Sequence, residues 1–173
     1  MLLDGVGSAA LADSLVEGLR EAGRAPLRVR AEHFQRPAGE RYAWGREDVD
    51  ALRTSWLDAD ALEREVLRRA VTGTYLPALR DAGRDRSSRR AVEPVPVGAV
   101  LLVDGVFLLG KGLSAELVVH IALSSAALAR RGVPDWQVPA FVDYDAIELP
   151  RAACDVLVRA EDPLRPAVEL RTR

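Results

Sequence analysis

Short apolar runs alternate with an amphipathic segment near the start of the sequence. Residues 1–4 begin with an apolar run and predict the end of a short strand, and residues 27–31 are the next strand candidate. Between them, apolar residues recur every three or four positions from Ser8 to Leu19, which predicts a helix with one apolar face, and Gly23 follows as a helix stop. This order of strand, helix and strand is typical of an α/β domain.

The middle of the chain contains a helical segment followed by a polar one. Residues 47–71 keep the helical spacing, with a break near Trp56. Residues 75–98 are rich in Arg, Asp, Ser and Pro, which predicts a long surface loop. The arginines from Arg84 to Arg90 are interspersed with aspartates and lack neighbouring aromatic residues, so a solvated loop is favoured over a nucleic-acid contact.

The most apolar strand is predicted further along the chain. Residues 99–103 form an unbroken apolar run that ends at Asp104, as expected of a buried parallel strand whose polar carboxyl end faces a site. Two more strands are predicted over residues 118–123 and 154–158, with a helix over 125–131 between them. The whole pattern predicts an α/β fold with a three-layer, doubly wound parallel sheet.

Composition and charge exclude several classes of partner. The 173 residues carry 24 Lys plus Arg against 26 Asp plus Glu, a formal charge of -2. Nucleic-acid and membrane-surface binding both need a concentrated positive excess, so neither is predicted. No run approaches the roughly 20 apolar residues of a membrane span. The single Cys154 and two separated histidines offer no zinc spacing, so no metal site is predicted and a cytoplasmic setting is expected.

The segment from Asp4 to Leu11 joins the first strand to the first helix, where a phosphate-binding loop belongs in such a fold. Gly5, Gly7 and Ala10 match a relaxed dinucleotide-binding pattern. That match is weak, because no acidic residue ends the second strand where a ribose partner is expected, and Glu32 is only the nearest candidate.

Eight short segments, spread over nearly the whole chain, share their order and spacing with a known family. They are Asp4-Gly5, Leu11 to Leu15, Glu32 to Phe34, Gly45 to Asp48, Trp56 to Leu62, Val100 to Phe107, Ala127 to Arg131 and Ala160 to Pro166. Together they resemble the uridine-kinase-like branch of the P-loop nucleoside and nucleotide kinases. The resemblance implies one domain over residues 1–173 with a lid-like region at 124–150 and a small polar or nucleoside-like ligand, while the cofactor is unknown.

The phosphate loop departs from that family. A working P-loop reads G-x-x-x-x-G-K-[ST], but this loop is about three residues short, with Ser8 in place of the lysine and Ala9 and Ala10 in place of the hydroxyl residues. The only lysine in the sequence, Lys111, ends a second match at residues 105–111, where the intervening residues are bulky and apolar. A lysine on a glycine-flanked turn is the favoured interpretation there.

The resemblance assigns candidate roles to particular residues, each of which also has a structural alternative. The catalytic candidates are Glu32, His33 and Asp104; the phosphate- or anion-binding candidates are Gly5, Gly7, Ser8, Arg130 and Arg131; the acceptor-pocket candidates are Arg36, Arg41, Tyr42, Arg46, Arg53 and Tyr75. Glu32 replaces the family's catalytic aspartate and is longer by one methylene. Asp104 could instead open a turn, and the lid arginines could instead interact with a helix C-terminus.

The sequence therefore predicts a small-molecule cleft without ordinary ATP-dependent phosphoryl transfer. Such a protein is either a binding or regulatory pseudokinase or an enzyme that performs other acid-base chemistry. The alternative is an active nucleoside or small-metabolite kinase in which Lys111 or an arginine replaces the missing charge, and only this alternative requires Mg-ATP. The short first strand raises the question of a preceding segment, which would not restore the loop. The ligand and the oligomeric state are not indicated.

Overall fold

Ten strands form the β-structure of residues 1–171, which the computed structural model describes. They are β1 (Leu2–Asp4), β2 (Pro26–Arg30), β3 (Thr74–Tyr75), β4 (Arg80–Asp81), β5 (Arg86–Ser87), β6 (Glu93–Pro94), β7 (Val100–Gly105), β8 (Val118–Ala122), β9 (Val156–Arg159) and β10 (Ala167–Leu170). Six of them make the main sheet, in the order β10-β9-β8-β1-β7-β2. All neighbours in this sheet run parallel except β10, which is antiparallel to β9. The predicted parallel sheet is confirmed.

Eight α-helical segments connect and cover the strands. They are α1 (Ser8–Glu21), α2 (Ala38–Arg41), α3 (Val49–Thr54), α4 (Ala59–Leu62), α5 (Arg69–Val71), α6 (Ser125–Arg130), α7 (Val138–Ile147) and α8 (Pro150–Ala153). A π-helical segment, Glu63–Arg68, joins α4 to α5, and 3-10 turns span Ala31–Phe34 and Asp135–Gln137. Asp48 and Asp58 cap α3 and α4 through their side chains. No helix within residues 1–171 has the length and hydrophobicity needed to cross a bilayer.

The alternation of side chains along β1 divides the core between the two faces of the sheet. Leu2 packs with Val29 and Val103 on the face covered by α4, the π-helical segment and α7. Leu3 points the other way and packs with Ala12 of α1 and with β8. Because successive side chains of a strand point to opposite faces, Asp4 lies on the same face as Leu2. This alternation decides which strand-end residues can meet.

Three regions differ from the sequence prediction. Residues 75–98 are not a structureless loop, because β3 pairs with β6 and β4 pairs with β5 in nested antiparallel ribbons. The patterning missed α7, whose apolar residues are spread around the helix instead of forming a stripe. It also missed β10, whose four residues are all exposed. Part of the lid-like region packs into the core, since Ala140 and Tyr144 of α7 are buried.

Candidate functional site

A cleft of about 460 Å³ lies beyond the carboxyl ends of β1, β2 and β7. Parallel α/β sheets place ligands at this edge, since the loops that follow the strands converge there. The lining residues are Gly5, Val6, Gly7, Ser8, Ala9, Arg30, Ala31, Glu32, Gln35, Leu52, Arg53, Trp56, Leu57, Asp104, Gly105, Val106 and Phe107. Six residues singled out by the sequence are among them, so the cleft brings the loop, two catalytic candidates and one acceptor-side arginine together.

The loop between β1 and α1 is held tightly against the sheet. Gly5 and Gly7 have φ values of 111° and 101°, a region that favours glycine. The Gly5 N–H donates to the Gly105 carbonyl at 2.9 Å, and a Cβ added to Gly5 would lie 2.6 Å from the carbonyl oxygen of Ile121. The Ser8 N–H donates to the Gly5 carbonyl at 3.1 Å. The loop is therefore a short turn that leads directly into α1.

Ser8, which stands where the P-loop lysine is expected, is buried. Its hydroxyl donates to the Gly105 carbonyl at 3.1 Å and ties α1 to the end of β7. A cation reaches the loop from Arg131 instead, whose Nη1 would lie 2.8 Å from a Cβ on Gly7 and whose Nη2 donates to the Ala160 carbonyl at 2.7 Å. Arg131 thus lies beside the predicted anion-binding loop.

Arg130, the other predicted lid arginine, is arranged differently. It is exposed and lies 3.9 Å from the Glu161 carboxylate, and its Nη2 also donates to the Glu161 carbonyl at 3.2 Å. Like Arg131, it is not among the residues that line the cleft. Of the two lid arginines, the structure brings only Arg131 to the loop.

Asp104 ends β7 as predicted, but its carboxylate is already engaged. Only 5% of its side chain is exposed. Nε of Arg28 donates to Oδ1 at 2.7 Å and Nη2 of Arg28 donates to Oδ2 at 3.0 Å. No motif in the sequence points to Arg28; the signal was its polar position in β2, on the same face as Asp104 of the adjacent strand.

Glu32 and His33 follow β2 in the 3-10 turn and point to different cavities. Glu32 lines the cleft with half of its side chain exposed, and its nearest charged partner is Arg30, at 3.5 Å. His33 lines a separate cavity of about 430 Å³, where its Nδ1 lies 3.1 Å from the Arg80 carbonyl oxygen. The two catalytic candidates at this turn do not share a site.

Arg53 is the acceptor-side residue that lines the cleft. Its Nη1 lies 3.5 Å from the Glu148 carboxylate and its Nη2 lies 3.4 Å from Asp50. Its Nε is buried and has no hydrogen-bond partner among the described residues. The indole Nε1 of Trp56, another residue of the cleft wall, is also buried without a hydrogen-bond partner among the described residues. Two buried donors at the cleft therefore lack acceptors.

The remaining acceptor-side candidates lie outside the cleft. Arg36 lines the neighbouring cavity of about 350 Å³. Arg41 is buried with its guanidinium 5.0 and 5.3 Å from the rings of Tyr42 and Trp56, and Arg46 lies 5.2 Å from the Tyr42 ring. This stacked group stabilises the segment around α2 and α3 through cation–π contacts.

Tyr75 is part of the core. It is 4% exposed and packs with the apolar residues of α4 and the π-helical segment. Its hydroxyl donates to Glu93 at 3.1 Å, and burial together with this bond raises the pKa of Tyr75. The aromatic ring predicted for the acceptor pocket is therefore a packing residue, because β3 turns it inward.

Lys111 does not reach the phosphate loop. Its Nζ donates to the carbonyls of Arg53 at 2.8 Å and Thr54 at 3.2 Å, the last residues of α3. A cation at this end of a helix satisfies carbonyls that have no partner within the helix. Burial lowers the pKa of Lys111. The lysine lines the 350 Å³ cavity, so the structure favours the turn interpretation of residues 105–112 over a second phosphate loop.

A buried polar network lies beneath the loop, and the sequence analysis did not predict it. Asp4 is 0% exposed, with Oδ2 lying 2.7 Å from Nδ1 of His120 and 3.0 Å from the Tyr144 hydroxyl, while Oδ1 accepts from the Leu108 N–H at 2.9 Å. The Tyr144 hydroxyl accepts from the Leu109 N–H at 2.8 Å. Burial and the Asp4 carboxylate raise the pKa of Tyr144. These contacts join β1, β8 and α7.

Comparison with known proteins identifies the fold. No protein-family model and no curated protein matches the sequence. The chain is similar in structure to a protein described as a possible uridine kinase from Bacillus stearothermophilus, with a TM-score of 0.73, 20% sequence identity, and coverage of 90% of this chain and 84% of that one. It is also similar to phosphoribulokinase from Rhodobacter spheroides, with a TM-score of 0.52, 13% identity, and coverage of 91% and 68%. The likeness confirms the predicted α/β fold of the P-loop kinase type.

Proposed function

We propose that the cleft binds a small polar, nucleoside-like ligand and that the protein has lost ordinary ATP-dependent phosphoryl transfer. The observation that carries the proposal is the loop from Gly5 to Ser8, which is about three residues short and has a buried serine where the lysine belongs. A P-loop lysine neutralises the β and γ oxygens of ATP. Removing a charge aimed at the transferring group costs on the order of 10² to 10⁴ in rate.

Neither Lys111 nor Arg131 is a ready replacement for the loop lysine. The Lys111 ammonium donates to two carbonyls of α3 and faces the neighbouring cavity. Arg131 lies beside Gly7, but its Nη2 is bonded to the Ala160 carbonyl. These contacts argue against the active-kinase alternative, although Arg131 remains suited to an anionic group at the start of α1.

The open side of the cleft supports ligand binding. Glu32 offers carboxylate oxygens that accept from hydroxyl groups. Arg53 and Trp56 line the cleft, and Nε of Arg53 and Nε1 of Trp56 are buried without a hydrogen-bond partner among the described residues. A volume of about 460 Å³ is in the range of small-molecule sites. Acceptors, donors and an aromatic ring together match a sugar or base-like molecule with several polar groups.

Thermal unfolding with defined compounds tests ligand binding. Uridine, cytidine, adenosine and their 5′-monophosphates are added separately, without metal, at millimolar concentration. A ligand at 100 times its dissociation constant adds about 2.7 kcal/mol of stability, so at least one compound should raise the melting temperature clearly. The variant Arg53→Met should lose most of that shift. Arg86→Met, on the exposed strand β5, should keep it. If none of the six compounds stabilises the protein, a nucleoside-like ligand is ruled out.

Transfer from radiolabelled ATP tests the loss of kinase activity. The same nucleosides are incubated with Mg-ATP labelled on the γ-phosphate, and no labelled product above the enzyme-free control is expected. Labelled nucleotide that forms with the wild type and is lost in Arg131→Met would establish the alternative, a kinase that uses an arginine in place of the loop lysine.

The variant Glu32→Gln distinguishes an enzyme from a binding or regulatory module. If the protein is an enzyme with other acid-base chemistry, Glu32→Gln should abolish turnover of the stabilising compound and preserve its binding, because the amide keeps the shape but cannot take a proton. If the protein is a binding or regulatory module, mass spectrometry should recover the stabilising compound unchanged after prolonged incubation with the wild type.

A further inference from the structure

Arg28 lies at the centre of a group of oxygen atoms beside the first turns of α1. Its Nε and Nη2 donate to the two carboxylate oxygens of Asp104, at 2.7 and 3.0 Å. Nη1 pairs with the carboxylate of Asp13, and Nη2 also donates to the Ala9 carbonyl at 3.1 Å. All three guanidinium nitrogens are therefore engaged, and 14% of the side chain is exposed.

The oxygens of Asp104, Asp13 and Ala9 around Arg28 are the types of ligand that bind a hard divalent cation. Mg²⁺ is bound in proteins through carboxylates, carbonyl oxygens and water. The kinase fold calls for a metal beside the acidic residue at the end of the central strand, which is Asp104 here. In this chain the guanidinium of Arg28 already lies on both Asp104 oxygens. At the positions where a hydroxyl ligand is expected, the chain has Ala9 and Ala10, which carry no side-chain oxygen. The residues present therefore do not fit Mg²⁺.

The charge of Arg28 is permanent under ordinary conditions. The hydrogen bond to Asp104, together with the nearby Asp13, raises the pKa of Arg28 above an ordinary value that is already high, against the smaller effect of burial. A guanidinium also differs from a metal ion in its geometry. Its donors are fixed in one plane, and four of its five N–H groups are used on protein oxygens, so it neutralises the carboxylates and leaves at most one N–H for a phosphate oxygen.

We propose that Arg28 is a built-in cation that takes the place of a divalent metal beside Asp104, and that this side of the cleft works without metal. The assignment goes beyond the loss of the loop lysine, because it concerns a different residue on a different strand. It depends on the contacts of Arg28 alone and does not require the ligand proposed above.

Titration with Mn²⁺, followed by electron paramagnetic resonance of the free ion, tests the proposal. The wild type should show no saturable binding up to about 1 mM, the weak end of protein sites for such cations. Arg28→Met keeps the apolar stem and releases the oxygens of Asp104, Asp13 and Ala9. It should bind one Mn²⁺ at least about tenfold more tightly than the wild type, and Asp104→Asn in the same background should abolish the gain. Arg24→Met removes an exposed arginine of the same region and should behave as the wild type.

Two results would overturn the assignment. One is a wild-type protein that binds a single Mn²⁺ and loses it in Asp104→Asn. The other is a folded, charge-free variant at position 28 that binds no more Mn²⁺ than the wild type. Circular dichroism checks the fold, and Arg28→Gln, whose amide still donates to Asp104, serves as the charge-free variant if Arg28→Met does not fold. Because the probe is the metal alone, the outcome is independent of whether any nucleoside binds.

Discussion

Asp104, near the end of β7, and Glu32, just after β2, border the same cleft but differ in their exposure and in their pairing. Asp104 is 5% exposed with both oxygens bound by Arg28. Glu32 is 51% exposed and has Arg30 at 3.5 Å as its nearest charged partner. Strand β7 lies between β1 and β2, whereas β2 is the edge of the sheet. A carboxylate at the end of a buried strand must be paired to be stable, while one beyond the edge strand is free for a ligand.

Two other acids resemble Asp104 in being buried. Asp4 and Glu63 are also buried and fully paired, Asp4 by His120 and Tyr144 and Glu63 by Ser114. These acids hold elements together. The acceptor-facing side of the cleft instead keeps an exposed carboxylate and an arginine whose Nε lacks a partner among the described residues. The paired acids should therefore govern stability, and the exposed one should govern binding.

The largest expected effect is that of Asp4→Ala. The change leaves the Leu108 N–H and the polar atoms of His120 and Tyr144 buried without their acceptor, and breaking a buried ionic network typically costs about 3–5 kcal/mol. Urea unfolding should show this loss as a lower midpoint. Glu17→Ala, an exposed carboxylate on α1, is the matched control and should change the free energy of unfolding by less than about 0.5 kcal/mol. Equal effects for the two variants would contradict the comparison.

The second prediction concerns the loop that lies over this network. Gly5→Ala should destabilise the protein by about 3 kcal/mol, because its φ of 111° strains any other residue and the new Cβ would lie 2.6 Å from the Ile121 carbonyl oxygen. Gly18→Ala, in the open middle of α1, should act in the opposite direction and stabilise by about 0.5–1 kcal/mol. Chemical denaturation measures both, and a tolerated alanine at position 5 would mean that the loop is not held as described.

The third prediction uses pH to test Glu63. Burial alone would raise the pKa of Glu63, but the hydrogen bonds from Ser114 and the pairing with Arg68 outweigh it, so the pKa lies below its ordinary value of 4.5. A lowered pKa in the folded state means that the stabilisation is complete above pH 4.5 and is lost as the pH falls through the folded value. Wild-type stability should therefore fall on acidification by more than that of Glu63→Gln. Parallel stability curves for the two proteins between pH 6 and pH 3 would refute this.

The smallest expected effect is that of Glu32→Ala on stability. Its carboxylate is half exposed and its ion pair with Arg30 is open to solvent, and such pairs contribute about 0–1 kcal/mol. Urea unfolding should give a change of less than about 0.5 kcal/mol, while any shift in melting temperature caused by a nucleoside should decrease. A stability loss comparable to that of Asp4→Ala would erase the distinction between the two kinds of carboxylate.

Local pattern was sufficient for most of the sheet. The apolar runs around β1, β7 and β8 predict strands because a parallel strand buried on both faces needs continuous apolar residues. The break near Trp56 likewise appears between α3 and α4, where Asp58 starts the second helix. Where the elements are exposed or apolar on all sides, as in β10 and α7, the periodicity carries no such signal and the prediction failed.

The sequence predicted the candidate site only in part. The physical reason differs from the one that limited the prediction of β10 and α7. The loop, Glu32 and Asp104 could be placed because residues that follow parallel strands meet at one edge of the sheet. Tyr75 and Arg41 were assigned to the acceptor pocket although their own strand and helix turn them into packed surroundings. The role of Lys111 depends on the end of α3, which no motif around the lysine reveals.

The sequence by itself determined the α/β fold, the shortened loop and the absence of its lysine, since these depend on residues close together along the chain. Only the tertiary structure decided which charges are available. Arg28 and Asp104 are 76 residues apart, and Asp4 and Tyr144 are 140 apart. Whether a carboxylate is paired depends on which side chain the neighbouring strand or helix places against it, and that contact is created only by folding.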